Sequence, residues 1–212
     1  VHAEAISQAN WIANPGCYAT AIALAAAPAV LVGGVDASDI VVVAASGTTG
    51  AGRSSKVSLS GSEIMNSMVS YKFGGVHQHT PEIEQTLSEL NSKEVKISFT
   101  PILAPMPRGI LATVTSKTTL SEEAIRQSYE EAYLDEPFVH LLAKGQLPET
   151  SSLTGSNSVQ MQIAVDSHTS RLIVSVAIDN LGKGAAGQAI QNANLIAGLS
   201  EIIGLSALGI GQ

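Results

Sequence analysis

The sequence contains only one cysteine, Cys17, so no disulfide can form within the chain. A single thiol fits a reducing compartment, and we expect a cytoplasmic protein. The longest apolar run, residues 21–32, is shorter than the roughly 20 residues that cross a bilayer. No basic stretch followed by an apolar one opens the chain, so neither a membrane span nor a signal peptide is predicted. Because the first residue is Val1 rather than Met, we expect a fragment or a processed chain.

Charged residues are also scarce, at 14% of the chain, and the net charge is −7. A nucleic-acid surface needs clustered Lys and Arg, so we expect no nucleic-acid partner. Only four arginines could serve an anionic substrate: Arg53, Arg108, Arg126 and Arg171. Hydrophobic residues are plentiful, at 45% of the 212 residues. A chain of this length and composition can form a sizeable core in one large or two small domains.

The spacing of apolar runs and Gly/Pro breaks predicts the order β-α-β-β-α-β-β-α-β-β-α, with strands paired in hairpins. This order indicates an α+β fold: a mixed, largely antiparallel sheet with helices packed on one face. No Gly-x-Gly-x-x-Gly follows a strand, so no Rossmann domain is predicted. Four local predictions are a strand at 11–13, a helix from Tyr18 that is kinked or ended near Pro28, a strand at 39–45 covered on both faces, and a surface helix at 184–199 with one polar side. Four more are a strand at 67–73, a proline-stiffened crossing at 101–109, an amphipathic helix that begins at 121–124, and a hairpin of the strands at 159–165 and 171–178.

Cys17 follows a Pro-Gly turn at the start of an alanine-rich helix. The free amides and positive dipole end of a helix N-terminus favour an anion, so this position should lower the thiol pKa. That pattern makes Cys17 a candidate nucleophile. The alternative is a small buried hydrophobic residue, the usual role of a lone cysteine among alanines.

A loop rich in Gly, Ser and Thr at residues 46–53 follows the strand at 39–45. Its backbone could closely approach a phosphate or another anion, or it could be a flexible surface loop. It is not a P-loop, because no Gly-Lys-Ser/Thr ending is present. Arg108 lies at a corner between two strands, where it could bind a carboxylate or phosphate, or form a surface ion pair.

His77 and His79 lie just ahead of a helix for which we expect Thr80 as N-cap and Pro81 as first residue. One of them could be a general acid/base, since imidazole titrates near neutral pH; the alternative is two solvated loop histidines. No further Cys or His lies at a ligand spacing, so no metal site is predicted.

Five segments together resemble the catalytic and dimerisation domain of the N-acetyl-gamma-glutamyl-phosphate reductases, within the wider semialdehyde dehydrogenase group. They occur in family order over nearly the whole chain: residues 14–20 (NPGCYAT), 46–53 (SGTTGAGR), 77–83 (HQHTPEI), 105–110 (PMPRGI) and 179–188 (DNLGKGAAGQ). The resemblance implies a C-terminal domain like that of glyceraldehyde-3-phosphate dehydrogenase over residues 1–212. Thr49 stands where the family commonly has Ser. The family's N-terminal NADP-binding Rossmann domain is absent from this chain, which we therefore expect to be inactive alone.

The activity implied is NADP-dependent reductive dephosphorylation of N-acetyl-glutamyl 5-phosphate, through a thioester on Cys17, in arginine biosynthesis. We expect a small-molecule acyl-phosphate substrate and a homo-oligomer, dimer or tetramer. His77 is the favoured acid/base, with His79 and Glu82 as alternatives or orienting partners. The remaining implied roles are substrate binding by Arg108, Ser46 and Gly47, and contact with NADP by Gly50, Ala51, Gly52 and Asn180.

Two other functions stay open. The first is an aspartate-semialdehyde dehydrogenase-like enzyme, against which residues 77–82 speak. That group also places a histidine after a glycine where this chain has Ile110. The second is an isolated dimerisation module without activity.

Overall fold

A single mixed sheet is the frame of the computed structural model, which describes residues 1–91 and 93–210. Its seven strands within those ranges lie in the order β2-β3-β1-β4-β7-β6-β5. The β1–β3 and β5–β6 pairs are parallel and the other four are antiparallel, which confirms the predicted α+β class. The strands are β1 (Ile40–Ser46), β2 (Val69–Ser70), β3 (Ile97–Leu103), β4 (Ile110–Lys117), β5 (Val139–Leu141), β6 (Val159–Asp166) and β7 (Arg171–Ile178).

Six α-helices occur in the same described ranges: α1 (Ala3–Ser7), α2 (Cys17–Leu31), α3 (Gly61–Ile64), α4 (His79–Glu89), α5 (Glu122–Tyr133) and α6 (Gly187–Ile196). Short 3-10 segments lie at Thr48–Ala51, Val57–Leu59 and Ser151–Leu153, and a π-helical turn at Gly182–Ala186 leads into α6. The predicted hairpin of β6 and β7 and the predicted start of α5 are confirmed. The Ser121 hydroxyl accepts the Ala124 amide at 3.2 Å.

The helices cover one face of the sheet, as predicted, and leave the other open. In β1, Ile40, Val42 and Ala44 are buried, whereas Val43 between them is 43% exposed. Leu111 of β4, on the same open face, is 40% exposed. Within a single chain, the prediction that the strand at 39–45 is covered on both faces is therefore wrong. Its β-branched run lacks polar alternation, yet successive side chains still point to opposite faces.

Helix α2 packs over β4 and β7 and is apolar around its whole circumference. It continues through Pro28 and ends at Leu31, one turn beyond the predicted kink or end. Pro28 has no amide hydrogen, so the Leu24 carbonyl loses its helical donor. The Tyr133 hydroxyl donates to that carbonyl instead. A tyrosine on α5 thus satisfies the group that the proline leaves unpaired.

Two predictions in the first half of the chain differ from the structure. Residues 11–13 form no strand, and Trp11 is 93% exposed, since no described strand lies beside this segment to pair with it. Helix α4 begins at His79 after Gln78, so Thr80 is not its N-cap. The Thr80 amide instead donates to the His77 carbonyl at 3.0 Å.

Two predicted strand limits also changed. The strand predicted at 67–73 is reduced to Val69–Ser70. Strand β3 continues through Pro101 to Leu103, where a proline-stiffened connection was expected. The Pro101 carbonyl accepts the Tyr71 amide at 3.2 Å, so the residue remains part of the paired sheet without donating to it.

The last helix has its polar side turned inward. Gln191, Asn192 and Asn194 are buried, so the prediction of a solvated polar side was wrong. Asn194 donates to the carbonyls of Glu201 at 3.1 Å and Ile203 at 2.9 Å. The C-terminal segment lies against α6 and offers backbone acceptors, which makes buried amide side chains favourable there.

Candidate active site

The elbow, residues 14–17, delivers Cys17 to the first position of α2, with Gly16 as N-cap. The Asn14 side chain fixes the elbow against the C-terminal part of the chain. Its amide donates to the Ala185 carbonyl at 3.3 Å, and its carbonyl accepts from Asn192 at 3.1 Å. The elbow is therefore anchored by α6 and the turn before it, far away in sequence.

The start of α4 lies directly on the elbow. Glu82 accepts the Gly16 amide at 2.9 Å. The His79 ring lies so close to Gly16 that a Cβ there would be 2.2 Å from Nε2. Only glycine permits this approach, which explains the Pro-Gly step before Cys17 on steric grounds. His79 and Glu82 therefore both contact Gly16, the residue directly before Cys17.

The wide turn, Gly182–Ala186, closes the third side of Cys17. Its amides bond five residues back, from Gly184 to the Asp179 carbonyl at 2.9 Å and from Ala186 to the Leu181 carbonyl at 3.1 Å. A Cβ on Gly184 would lie 2.7 Å from the Cys17 Cβ. π-helical turns are rare and are frequently found at functional sites.

A cleft of about 790 Å³ opens beside the elbow, within the size range of small-molecule sites. Its lining includes Asn14, Gly16, Thr20, His79, Glu82 and Gln188. The cleft is thus lined by an imidazole and a carboxylate, and the Cys17 thiol lies one residue beyond Gly16, which also lines it. That set of groups can support nucleophilic and acid–base chemistry.

Burial raises the pKa of the Cys17 thiol in this chain. The amides at the start of α2 act in the opposite direction, and the nearby Glu82 carboxylate raises the pKa further. The expected lowering by the helix start is present but smaller than the desolvation. In the chain as it stands, the prediction of a net activated thiol was wrong.

The two histidines occupy different environments. His77 is 5% exposed, with ring centroids of Tyr18, Tyr71 and Phe99 between 5.1 and 5.8 Å away, and its Nδ1 accepts the His79 amide at 3.1 Å. Burial lowers the pKa of His77 to about 4, with the charges of neighbouring groups adding to it.

His79 is half-buried and lines the cleft. Burial lowers its pKa, and Glu82 partly opposes that shift. Its Nδ1 is buried and has no hydrogen-bond partner among the described residues. A buried unpaired imidazole nitrogen calls for an explanation such as a bound molecule.

Arg108 is held by a buried carboxylate that the sequence reasoning did not single out. Its Nη2 lies 2.6 Å from Asp179 Oδ2, and its Nε donates to Oδ1 at 3.2 Å. Asp179 also accepts the amides of Gly155, Leu181 and Gly182. Arg108 is therefore oriented in a two-pronged ion pair, with one third of its side chain still exposed.

Three consecutive amides of the 46–53 loop are already paired within the chain. Those of Gly47, Thr48 and Thr49 donate to the carbonyls of Gly109, Met106 and Pro107, at 2.9 to 3.2 Å. This contradicts the expectation that the loop offers its amides to a phosphate. Ser46 and Gly47 are buried, and the Ser46 hydroxyl donates to the Gly47 carbonyl. Gly50, Ala51 and Gly52 are exposed.

Asn180 is a buried clamp between two loops. Its carbonyl accepts the Gly109 amide at 2.7 Å, and its amide donates to the Thr49 hydroxyl at 3.0 Å. Asn180 therefore holds Thr49 of the 46–53 loop close to Gly109.

Two functional candidates in segment 179–188 were missed individually: Asp179 and the buried Lys183. Charged residues within a Gly-rich, apolar stretch were the only signal for them. In the described part of the chain, no group of three or more His, Cys, Asp or Glu side chains could hold a metal. No helix in residues 1–91 and 93–210 has both the length and the apolar character to cross a membrane.

The chain is similar to known proteins both in sequence and in fold. A family profile described as "Semialdehyde dehydrogenase, dimerisation domain" matches residues 17–180. The N-acetyl-gamma-glutamyl-phosphate reductase of Acidothermus cellulolyticus is 56% identical over 97% of this chain and 60% of its own length. That of Arthrobacter sp. is 52% identical over 98% of this chain and 61% of its own length. The chain thus spans about three fifths of the curated relatives it matches.

Solved structures show the same fold at low identity. The crystal structure of aspartate semialdehyde dehydrogenase II from Vibrio cholerae has a TM-score of 0.73 at 20% identity, covering 93% of this chain and 66% of that one. A probable aspartate-semialdehyde dehydrogenase from Pseudomonas aeruginosa has a TM-score of 0.70 at 17% identity, with the same coverage.

Proposed function

Because the chain belongs to the semialdehyde dehydrogenase dimerisation domain family, we propose that it is the catalytic part of an acyl-phosphate reductase. The proposed reaction reduces N-acetyl-glutamyl 5-phosphate to the 5-semialdehyde with loss of phosphate, as in arginine biosynthesis. The names of the curated relatives support this substrate. The observation that carries the proposal is that His79 and Glu82 both contact Gly16, directly before Cys17, and line the adjacent cleft.

The Cys17 sulfur forms a bond to the acyl carbon of the substrate, and the carbon–oxygen bond to phosphate breaks with its electron pair leaving on phosphate. A thioester on Cys17 results, which divides one difficult step into two easier ones. Since burial raises the pKa of Cys17, the thiol needs a base to become the nucleophile. Substrate in the cleft would stand beside the imidazole that can take this proton.

We infer that His79 is that acid/base, rather than His77. Its ring packs on Gly16, it lines the cleft, and its lowered pKa keeps it neutral and able to accept a proton near neutral pH. After hydride transfer, the imidazolium would return this proton to the oxygen of the thiohemiacetal on Cys17, and the neutral imidazole would take it again as aldehyde and thiolate separate. Glu82 orients the elbow through the Gly16 amide, and His77 supports His79 from the aromatic core.

NADPH, when bound, supplies the hydride for this chemistry. The exposed surface of Gly50, Ala51 and Gly52 has almost no side chains and fits a flat nicotinamide ring, whereas the paired amides of that loop do not fit phosphates. Asn180 would hold this surface in place. We propose that reduction also needs NADP-binding residues outside these 212, consistent with the three-fifths coverage of the relatives.

Arg108 is the proposed contact for an anionic group of the substrate. Asp179 fixes two of its nitrogens, and the exposed third of the side chain leaves Nη1 available. Gly47 packs against the Arg108 backbone, and the Ser46 hydroxyl donates to the Gly47 carbonyl, so both residues help to position Arg108.

We further propose a homo-oligomer in which a second copy covers the open sheet face around Val43 and Leu111. The family description as a dimerisation domain supports this partner. A cytoplasmic location would keep the single thiol reduced.

Joining the chain to the unmatched portion of the Acidothermus cellulolyticus relative provides a test. The joined protein should reduce NADP with N-acetyl-glutamate semialdehyde and phosphate, and should lose that activity with Cys17→Ser. His79→Ala should lower kcat at least about a hundredfold, within the usual contribution of acid–base catalysis. His168→Ala, at the exposed tip of the β6–β7 hairpin, is the matched control. Activity that survives Cys17→Ser would refute the proposal.

A further inference from the structure

Lys183 is a buried lysine in the wide turn that closes on Cys17. Its side chain is 4% exposed, and Nζ donates to Gln191 Oε1 at 2.7 Å. Nζ also lies 5.8 Å from the centroid of the Phe138 ring. No described carboxylate forms a direct salt bridge with it, although Glu136 and Glu201 exert a favourable charge effect. Burial of an ammonium is unfavourable, so its retention at this point suggests a positional role.

Gln191 connects Lys183 to the rest of the C-terminal region. Its carbonyl also accepts from Asn157 at 2.9 Å, and its amide donates to Glu201 Oε2 at 2.7 Å. Lys183 is thereby tied to the loop before β6, to α6 and to the segment after α6. The bonds of Gln191 to Lys183 and Asn157 are buried and its bond to Glu201 is partly buried, so the network holds the lysine in one conformation.

The adjacent residue is the one that touches the nucleophile. Gly184 packs against Cys17 so closely that no side chain fits between them. The turn that holds Gly184 there is π-helical, with bonds five residues apart, a geometry that regular helix bonding does not enforce. Side-chain contacts also hold this turn: Asn14 of the elbow donates to the Ala185 carbonyl at 3.3 Å, and Lys183 anchors the turn to Gln191 on its buried side.

We propose that Lys183, anchored by Gln191, is a positioning residue that holds Gly184 against Cys17 and so fixes the solvent exposure and direction of the thiol. This assignment rests on the proposed role of Cys17 as nucleophile. The anchor shields the thiol before substrate arrives, and it presents the sulfur in one direction when substrate fills the cleft.

Alkylation of Cys17 by iodoacetamide tests the proposal on the 212-residue chain itself, because this is the only thiol. With Lys183→Met, the loosened turn should admit solvent and speed alkylation near pH 8 by about three- to tenfold, since thiolate is the reactive form. Gln191→Ala should have the same effect, and the double variant should react no faster than the faster single variant.

Arg126→Met is the matched control. It removes another cation that donates to a buried glutamine, Gln162, at 2.6 Å, without contact to the elbow or the wide turn. Its alkylation rate should equal that of the unmodified chain. If Lys183→Met does not fold by circular dichroism, Gln191→Ala carries the test.

Alkylation within twofold of the unmodified chain for a folded Lys183→Met or Gln191→Ala variant would overturn the proposal, as would additive effects in the double variant. In the joined protein, Lys183→Met should lower kcat with KM nearly unchanged. Loss of activity in Cys17→Ser tests the nucleophile separately, so failure of one assignment is distinguishable from failure of the other.

Discussion

Replacing the buried carboxylate of Asp179 with an amide should destabilise the fold. It should also weaken the link between Arg108 and the backbone at Leu181 and Gly182, which the carboxylate joins. Asp179 receives five donors: Oδ1 accepts from Arg108 Nε, Leu181 N and Gly182 N, and Oδ2 accepts from Arg108 Nη2 and Gly155 N. In Asp179→Asn, the amide nitrogen is best placed at the Oδ2 position, where fewer donors meet it. Two donors then lose their acceptor, and the charge on Arg108 loses its partner.

The magnitude follows from those losses. Each unsatisfied donor costs about 1–3 kcal/mol, and breaking a buried ion pair about 3–5 kcal/mol. Arg108 and Gly155 both reach solvent, which reduces the penalty. We therefore expect Asp179→Asn to lower the free energy of unfolding by about 3 kcal/mol, which corresponds to a fall in Tm of about 6–12 °C for a chain of this size.

Urea unfolding followed by far-UV circular dichroism is the suitable assay. Trp11 is the only tryptophan and is almost fully exposed, so its fluorescence would report poorly on the core. Arg108→Met should lower the free energy of unfolding by less, because three amide donors remain on the Asp179 carboxylate. The double variant should lower it by less than the sum of the two single variants. A change below about 0.5 kcal/mol for Asp179→Asn, the size of an ordinary surface substitution, would refute this reasoning.

Two further predictions concern the core behind the site. The folded chain keeps His77 neutral, since its pKa is lowered from 6.5 to about 4. The stability it contributes is fully present above pH 6.5 and is lost as the pH falls toward 4. At pH 5 the loss is about 2 kcal/mol, reduced to roughly 1 kcal/mol by solvent screening. Denaturant unfolding at pH 7.5 and pH 5 measures this loss of stability. The loss should be smaller in His77→Phe and unchanged in His168→Gln. An equal loss in both variants would contradict the role given to His77. Tyr133→Phe should cost about 1–2 kcal/mol by leaving the Leu24 carbonyl unpaired, and much less in a Pro28→Ala background, where an amide is restored. If urea unfolding gives the same loss of stability for Tyr133→Phe in both backgrounds, Pro28 is not the reason that the Leu24 carbonyl needs the tyrosine.

The sequence was most informative where local chemistry alone decides the structure. The β6–β7 hairpin, the start of α5 and the elbow before Cys17 each follow from a few adjacent residues, and they were predicted at the right places. The interest in His79 and Glu82, which contact Gly16 directly before Cys17, came from the family resemblance and not from their spacing.

Features that depend on distant partners could not be predicted. Residues 11–13 have strand-like composition, but a strand needs a neighbour to pair with. Gln191 resembles a solvated residue until the C-terminal segment is known to lie on α6. His77 and His79 are two residues apart, and only the path of the loop decides which one enters the core. The thiol pKa depends on burial as well as on the helix start, and sequence reveals only the second.

Trapping the covalent intermediate tests the central claim most directly. The joined protein is mixed with N-acetyl-glutamyl 5-phosphate without any nucleotide, quenched in acid and analysed by intact and peptide mass spectrometry. The account predicts release of phosphate together with an N-acetyl-glutamyl group on the peptide that contains Cys17, and neither in Cys17→Ser. Phosphate release at the same rate in Cys17→Ser, or an acyl group on another residue, would contradict it.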